Sequence, residues 1–504
     1  MQPTQQQSLP RVLGPWIATA IVVGTVIGSG VFKKGRNVAD SVPEFGLAMG
    51  VWVLGGLLAL LGALALAEVA VLFPRSGGNY VFLREGYGRM AGFLWGWVEF
   101  WIIRSASIGA LATMFTDSFH DVLKQSYYPG QNVEVLPFAM RAAFTVLVIA
   151  ALATVNARGT KLGGGLQFAI TLLKAFTLLF IISLPFAFYA YNAEPTLPPR
   201  VENLSPLWPA NWGAVNWSGF LVALVGVLWA YHGWMNIAPV AGEIKAPQRN
   251  IPLALFAGVF ILIALYCGAN FAYYYVVPHD LVVAKTAEGK LSDTPLATQF
   301  CQGLLGPVGA IIASAIIMVS VFGSLNGNLL VGPRLLYAMA LDRLAPAQLA
   351  RVHPEFQTPL LATVALAGLS CVQVVVLGAL LQSDLPLFDT GEFSPDGRPI
   401  KNSPFDVLTN FAIFGSVTFE TLAVASIFMF RWRIPATREN RPYRCVGYPV
   451  VPLLYIAIMG AVLVNFFVNP QQRWEAMVGL GFIATGAFVY LLFLRGGGSP
   501  HNTA

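Results

Sequence analysis

The sequence predicts an all-α polytopic membrane protein, a single transmembrane domain of twelve helices. Its 504 residues are 56% hydrophobic and only 11% charged, whereas a soluble domain has roughly 25% charged residues. The apolar residues form twelve long stretches, and each can cross a hydrocarbon core that needs about 20 helical residues. Glycine interrupts two of these stretches at membrane depth. Composition, span length and the two interruptions together predict the fold class.

Short polar loops separate most of the predicted spans. In chain order the spans are Pro15–Phe32, Phe45–Phe73, Met90–Phe115, Leu136–Val155, Leu166–Tyr189, Trp217–Ala241, Leu253–Val277, Val308–Met339, Leu360–Leu381, Val407–Phe430, Pro449–Val468 and Ala476–Leu494. Lys and Arg concentrate in one alternate set of loops, which includes Pro74–Arg89 and Arg431–Arg444. Because cytoplasmic loops carry the excess of basic residues, this set and both termini are predicted to be cytoplasmic, in a plasma (inner) membrane.

The three longest polar stretches are predicted to lie outside: Asn192–Asn216, His279–Pro307 and Gln382–Asp406. Within the second stretch we expect a short helix that covers the outer opening of the protein as a lid. The N-terminal segment Met1–Arg11 is polar and lacks the features of a signal peptide, so no cleaved leader is expected.

Other classes of protein fit the sequence poorly. The cysteines are far apart (Cys267, Cys301, Cys371 and Cys445), so neither a metal site nor a disulfide framework is predicted. The net charge of +6 is spread over many short loops, so it does not indicate a nucleic-acid-binding protein. The sequence GSGVFKKG lacks the spacing of a phosphate-binding loop. With no catalytic motif, no enzyme, cofactor or metal is predicted.

The first interruption lies in Gly24–Phe32, which reads GTVIGSGVF. Three glycines and a serine at membrane depth favour an unwound helix, and unwound backbone is tolerated there only where it lines a cavity. Its free N–H groups can bind an anion and its free carbonyls a cation. The competing interpretation is close helix packing through small residues.

The second interruption lies in Trp229–Trp234, WAYHGW, within the sixth predicted span. A pair of broken spans at matching places in two halves indicates a transporter site built from inverted repeats. Because the two broken spans are five apart, each half has an odd number of spans, and the second half is inverted relative to the first.

Six further motifs, together with these two, resemble the amino acid–polyamine–organocation superfamily, and most closely its L-type amino acid transporter branch and similar bacterial exchangers. They are PRSGGNYVFLREGYG (Pro74–Gly88), FWIIR (Phe100–Arg104), GEIKAPQRNIP (Gly242–Pro252), FGSLNG (Phe322–Gly327), RLLYAMALD (Arg334–Asp342) and RPYRCVGYPVVP (Arg441–Pro452). The resemblance implies a leucine-transporter-type 5+5 inverted repeat, with repeats at 14–190 and 216–431 and two extra helices at 446–495. It also implies amino acid transport by alternating access.

The resemblance also implies a substrate site. The amides of Gly28, Ser29 and Gly30 are expected to bind the substrate carboxylate, and Trp229 stands at the family's aromatic gate. Carbonyls expected to bind the ammonium group belong to Val26, Ile27, Trp229 and Ala230. His232 departs from the small or acidic residue common in the family, and it is a candidate for substrate contact, proton sensing or simple polar filling.

Lys174 lies in the middle of the fifth span, where a charge is costly and usually functional. The resemblance implies that it replaces the sodium ion of sodium-dependent relatives, with Ser320 as its partner. Its depth in the span argues against the alternative, a side chain that reaches to the interface.

Three other charges lie within predicted spans: Glu99, Arg104 and Glu420. Glu99 and Arg104 are five residues apart, which is unfavourable for pairing on an α-helix, so Arg104 is expected to pair elsewhere or to face a wet vestibule. The sequence leaves open whether Glu420 pairs with Arg104 or contacts a cationic substrate. In the loops, Arg75, Arg249 and Arg334 are expected to set topology or to form inner-gate ion pairs with Glu243 and Asp342.

The sequence therefore predicts a sodium-independent secondary transporter that exchanges neutral amino acids. Proton symport and uniport remain open, and a channel or a membrane sensor on the same fold is less favoured. The expected partners are the amino acid and the lipid bilayer. No cysteine lies in the loop between the third and fourth spans, Asp117–Pro137, so no disulfide-linked heavy chain is expected.

Overall fold

A computed structural model describes residues 9–129, 131, 133–190, 195–285, 291–292, 294–382, 389–393, 399–401, 404–435, 437 and 441–494. The α-helices are α1 (Pro15–Val26), α2 (Gly30–Ser41), α3 (Phe45–Leu72), α4 (Asn79–Tyr87), α5 (Arg89–Val98), α6 (Ser105–Tyr127), α7 (Phe138–Ala157), α8 (Thr160–Ala190), α9 (Trp217–Tyr231), α10 (Pro247–Val276), α11 (His279–Val282), α12 (Leu296–Leu305), α13 (Pro307–Val331), α14 (Pro333–Leu341), α15 (Leu360–Gln382), α16 (Pro404–Arg433), α17 (Val450–Val468) and α18 (Pro470–Val489).

Shorter helical segments of other types complete these elements. Two are π-helical, Glu99–Arg104 between α5 and α6 and Tyr490–Leu494 after α18. The 3₁₀ segments are Val201–Leu204, Trp212–Ala214, Trp234–Glu243 and Ala347–Ala350. An antiparallel hairpin, β1 (Asp389–Phe393) and β2 (Pro399–Lys401), lies in the predicted outer stretch Gln382–Asp406. Parts of that stretch lie outside the described residues.

The predicted polytopic helical fold is confirmed. Among the described residues, eleven helices are long and apolar enough to cross a membrane, and the count rises to twelve when α1 and α2 form one bent span. Some boundaries differ from the prediction: α2 continues past Phe32 to Ser41, and α6 continues past Phe115 to Tyr127. These extensions carry polar residues such as Lys34 and Arg36, which are buried by neighbouring elements, so hydropathy alone does not find them.

The packing pairs helices that are five spans apart. Helix α3 packs on α10, α6 packs on α13, and α7 packs on α15. At the centre, α1 lies against the 3₁₀ segment Trp234–Glu243, and α2 lies against α9. This pattern is what a two-fold relation between two halves would generate; the repeat boundaries 14–190 and 216–431 stay a prediction.

The predicted helix in the outer stretch His279–Pro307 corresponds to α12, which packs against α2 and α13. Arg36 on α2 donates hydrogen bonds to the carbonyl of Leu281 (3.1 Å) and to Oε1 of Gln299 (2.7 Å). Helix α2 is thereby tied to α11 and α12. Residues 286–290 and 293 of this stretch lie outside the described part of the chain.

Candidate functional site

The first predicted span is broken where the glycines predict it. Helix α1 ends at Val26 and α2 begins at Gly30, with a bend of 42° between them. The last backbone bond of α1 runs from the amide of Ile27 to the carbonyl of Val23 (2.9 Å). Within the described residues, the amides of Gly28 and Ser29 donate to no backbone carbonyl. Gly30 opens α2, so its amide has no acceptor within the helix either.

The sixth span is broken in the predicted place as well. Helix α9 ends at Tyr231, His232 is extended, and Gly233 has a φ of 108°. This left-handed conformation favours glycine, because a β-carbon would be strained there. The chain then continues as a 3₁₀ segment from Trp234.

The two breaks touch each other. The hydroxyl of Thr25 donates to the carbonyl of Gly233 at 3.2 Å. Helix α2 approaches α9 so closely that a β-carbon on Gly30 would lie 2.5 Å from the α-carbon of Ala230. Glycine at position 30 therefore permits the contact between the half-helices.

A cavity lies between the breaks. Its lining combines both breaks with residues of α6 and α13: Thr25, Val26, Gly28, Ser29, Gly30, Ser107, Leu111, Trp229, His232, Gly233, Asn236, Ser324 and Asn328. The hydroxyl oxygen of Ser29 is buried without a hydrogen-bond partner among the described residues. Because α2 begins at this wall, the cavity faces the positive end of a helix dipole, which favours an anion.

The carbonyls expected to bind an ammonium group do not all face the cavity. Ile27 and Ala230 are absent from its lining. The hydroxyl of Tyr266 on α10 donates to the carbonyls of Val26 (2.9 Å) and Ala230 (3.1 Å). The carbonyl of Trp229 accepts the amide of His232 at 3.1 Å. Of the four residues, Val26 and Trp229 line the cavity, and the binding of an ammonium group by these carbonyls stays a prediction.

Lys174 occupies the other side of the first break. It is fully buried, and its ammonium group donates to the carbonyls of Gly24 (2.7 Å) and Ile27 (2.6 Å). These carbonyls lie at the C-terminal end of α1, where the helix dipole favours a cation. The Lys174 side chain therefore supplies hydrogen-bond donors to two carbonyls of the unwound backbone.

Two serines on α13 share this contact. Ser320 donates to the carbonyls of Ile27 (3.0 Å) and Gly28 (3.2 Å). Ser324, which the sequence reasoning missed, is the serine that Lys174 contacts directly, at 3.1 Å. Its position one helical turn after Ser320 is the signal that could have identified it.

His232 lies at a junction of cavities. Its ring stacks on that of buried Trp229, with 6.2 Å between centroids. Its Nε2 lies 3.1 Å from Oε1 of Glu420 on α16. Another cavity, lined by His232 and Glu420, opens on the Glu420 side. Glu420 therefore pairs with His232 and not with Arg104.

The expectation for Arg104 is wrong. Its guanidinium donates to Oε1 of Glu99 at 2.8 Å from Nε. The chain between them is π-helical, and the π-helix closes i→i+5 turns, so residues five apart face each other. Arg104 also donates to Oδ1 of Asn328 (2.5 Å) and of Asn236 (2.9 Å).

A buried ion pair closes the end of the bundle that is predicted to be cytoplasmic. Arg334 donates to Oε1 of Glu243 at 2.9 Å, and Thr160 donates to Oε2 at 2.7 Å. The predicted pairing of Arg334 with Glu243 is thus confirmed. Asp342 instead accepts a hydrogen bond from Tyr80 (2.6 Å) and pairs with Arg84. Burial and the Asp342 carboxylate raise the pKa of Tyr80.

Several lining residues were missed by the sequence reasoning. They are Thr25, Ser107, Leu111, Gly233, Asn236, Ser324 and Asn328. On α13, Ser320, Ser324 and Asn328 form a stripe that recurs every fourth residue, and Ser324 and Asn328 line the cavity. Such a stripe on a membrane helix is a sequence signal for a polar interior face.

Comparisons with known proteins agree with this geometry. A family model described as "Amino acid permease" matches residues 13–493. The serine/threonine exchanger SteT of Bacillus subtilis is 30% identical over 92% of this chain and 93% of its own length. The human b(0,+)-type amino acid transporter 1 is 25% identical over 98% of this chain and 90% of its own length. The human large neutral amino acids transporter small subunit 2 is 27% identical over 96% and 81%.

Proposed function

This chain belongs to the amino acid permease family, and from that premise we propose that it is a sodium-independent exchanger of neutral amino acids. Amino acid transport through a multi-pass membrane protein, and not enzymatic catalysis, is what the family and the named relatives support. The finer proposal depends chiefly on one observation. Two broken spans enclose a cavity lined by Gly28, Ser29 and Gly30, whose amides donate to no backbone carbonyl among the described residues.

The substrate carboxylate is proposed to bind the first break. The amides of Gly28, Ser29 and Gly30 and the hydroxyl of Ser29 supply donors at the start of α2. Backbone amides at a helix N-terminus bind anions through both their hydrogen bonds and the helix dipole. The carboxylate thereby satisfies groups that are otherwise buried without partners.

The substrate ammonium group is proposed to bind the carbonyls of Val26 and Trp229. Both residues line the cavity; the Val26 carbonyl accepts a hydrogen bond from Tyr266, and the Trp229 carbonyl accepts one from the amide of His232. A carbonyl oxygen has two lone pairs, so each can accept a second donor. The carboxylate of the zwitterion then lies at the start of α2, and its ammonium group lies at the ends of α1 and α9.

Neutral side chains suit the remaining wall. The lining residues include one titratable group, His232, beside apolar Leu111 and Trp229. Trp229 is proposed to act as the gate that covers the bound substrate. A serine or threonine is the first side chain to test, because the relative SteT is named for exchanging them.

Sodium independence is proposed from the position of Lys174. Its ammonium group already lies among the carbonyls of Gly24 and Ile27 and the serine hydroxyls. A second cation at this place would meet an unscreened like charge. We expect uptake to be unchanged when sodium is replaced by choline.

Counterflow into proteoliposomes tests the proposal. The purified chain alone is reconstituted, loaded with one of the twenty amino acids, and supplied with a trace of the same labelled amino acid outside. Exchange predicts transient accumulation of label far above that of liposomes without internal substrate. Efflux of label into medium that lacks amino acid would favour uniport, and loss of counterflow for all twenty would refute amino acid exchange.

Proton-coupled symport is the second candidate. It is favoured by one observation, the pair of His232 and Glu420 beside the cavity. Histidine and carboxylate side chains inside membrane proteins can form proton relays. An imposed inward proton gradient would then drive accumulation without internal substrate, and Glu420→Gln would abolish that drive. Exchange predicts no accumulation under the same gradient.

The location of the termini and the lack of a partner subunit are proposed from the sequence. The basic loops place both termini in the cytoplasm, and the Asp117–Pro137 stretch has no cysteine for a heavy chain. A cysteine at exposed Glu355, between α14 and α15, tests the orientation in a cysteine-free chain. Labelling of intact cells with an impermeant maleimide should fail, and permeabilised cells should be labelled.

A further inference from the structure

We propose that a second cavity, lined by Glu99 and Asn79, is an additional binding station for the substrate's ammonium group on the path to the predicted cytoplasmic face. This inference rests on the proposed transport of amino acids. The second cavity is lined in part by the π-helical segment Glu99–Arg104. It shares His232 and Asn236 with the cavity between the two breaks.

The second cavity lies between the first cavity and the buried ion pair. Its wall includes Asn79 at the start of α4, Glu99 and Arg104 in the π-helical segment, and Leu335 of α14. Leu335 directly follows Arg334, which pairs with Glu243. A substrate that leaves the first cavity toward this end therefore meets the second cavity before the ion pair.

Two acceptor atoms in this wall have no partner among the described residues. They are Oε2 of Glu99 and Oδ1 of Asn79, and both side chains are buried. The other carboxylate oxygen of Glu99 binds Arg104, and the Asn79 amide nitrogen donates to the sulfur of Met235 at 3.2 Å. A buried acceptor without a donor is unfavourable, so the two atoms call for a ligand that carries N–H groups.

The chemistry of the wall selects an ammonium group over a carboxylate. Arg104 is the cation of this cavity, and its guanidinium is already hydrogen-bonded to Glu99, Asn236 and Asn328. The unsatisfied groups are acceptors, and one of them belongs to a carboxylate. A primary ammonium brings three donors and the complementary charge.

The π-helical segment creates this arrangement. An α-helix would place Glu99 and Arg104 on different faces, whereas the i→i+5 turn brings them together and leaves one oxygen of Glu99 free. Single π turns are frequent at functional sites. Arg104 also holds Asn236, which follows the break in the sixth span, so the station contacts a half-helix that lines the first cavity.

Side-specific transport kinetics test the station. Exchange is measured in proteoliposomes of known orientation with the labelled amino acid that gives the strongest counterflow in the unmodified protein. Asn79→Ala should raise the half-saturating concentration on the α4 face by about tenfold, since a hydrogen bond to a charged group is lost. The value on the opposite face should not change. Asn79→Asp retains an acceptor and adds a charge, so it should preserve or lower the half-saturating concentration on the α4 face.

Two further variants complete the design. Asn465→Ala is the control, because this buried asparagine lies on α17 away from the three cavities. Glu99→Gln keeps the shape and removes the charge, and it should also weaken binding on the α4 face alone. If Asn79→Ala does not yield folded protein, Asn79→Leu removes the same acceptor with little change in volume.

The outcomes separate the two proposals. The station would be refuted if the Asn79 and Glu99 variants showed the same change, or no change, in half-saturating concentration on both faces while the unmodified protein kept its counterflow. That result would indicate that the two acceptors hold only water. Absence of counterflow for every amino acid in the unmodified protein would refute the proposed function itself.

Discussion

Lys174 shows how one side chain holds unwound backbone inside a membrane. Carbonyls released by the end of α1 lack helical partners, and lipid offers none. The ammonium group of Lys174 donates to two of them, those of Gly24 and Ile27. The carbonyls thus stabilise the buried side chain of Lys174, and Lys174 supplies the hydrogen bonds that the carbonyls lack.

Replacement of Lys174 should therefore abolish transport. Lys174→Ala removes the cation and leaves the carbonyls unpaired, and Lys174→Arg introduces a larger planar group that does not fit the same oxygens. Uptake of labelled amino acid should be lost in both variants. Lys161→Ala, at an exposed position at the start of α8, is the control and should transport normally. Wild-type uptake in Lys174→Ala would contradict this role.

His232 separates the cavity between the breaks from the cavity beside Glu420. It lines both of them as well as the second cavity. The residue thus limits how far a substrate side chain can extend from the first break toward α16.

Removal of the imidazole should widen the substrate range. His232→Gly joins two cavities, so transport of leucine relative to serine should rise by about tenfold, the scale at which a hydrophobic pocket discriminates added methylenes. Competition counterflow with the two amino acids measures this ratio. His353→Gly, in the loop before α15, should leave the ratio unchanged. An unaltered ranking in His232→Gly would show that the imidazole does not limit side-chain size.

At the scale of elements, glycines determine where the helices break. The sequence GSG predicted the gap between α1 and α2, and HG predicted the gap after α9, because a broken span at membrane depth is typical of a transporter site. The sequence did not reveal which way the carbonyls face, since that depends on the 42° bend. It also did not reveal the π turn that joins Glu99 to Arg104, because side-chain spacing was judged against an α-helix.

Gly30→Ala tests the contact of the half-helices. The added β-carbon would lie 2.5 Å from the α-carbon of Ala230, so α2 and α9 would have to separate, at a cost of about 1–3 kcal/mol. Amino acid binding, measured by thermal shift, should be lost while the protein remains folded. Gly165→Ala on α8 is the matched control, because its β-carbon would meet nothing within 4 Å. Unchanged binding in Gly30→Ala would contradict the close approach.

At the scale of the whole molecule, one buried ion pair connects three parts of the bundle. Arg334 of α14 binds Glu243 of the 3₁₀ segment and Thr160 of α8. The amide of Leu13, just before α1, donates to the carbonyl of Glu243 at 2.9 Å. The broken spans are thereby held together at one face. Sequence motifs predicted the pair, but the participation of Thr160 and Leu13 depends on the packing of distant segments.

Arg334→Ala should destabilise the protein strongly. It leaves the Glu243 carboxylate buried without its cation, which costs about 3–5 kcal/mol, and the melting temperature in detergent should fall clearly. The double variant Arg334→Ala with Glu243→Gln should recover part of the loss, since no unpaired charge remains. Arg351→Ala, at an exposed position before α15, should melt like the unmodified protein. Equal melting of Arg334→Ala and the unmodified protein would contradict the structural role of the pair.

The most direct test of the account is a structure determined with the transported amino acid bound. The account predicts its carboxylate within hydrogen-bond distance, about 2.7–3.2 Å, of the amides of Gly28, Ser29 and Gly30. An amino acid bound elsewhere, or a continuous helix through these residues, would contradict it.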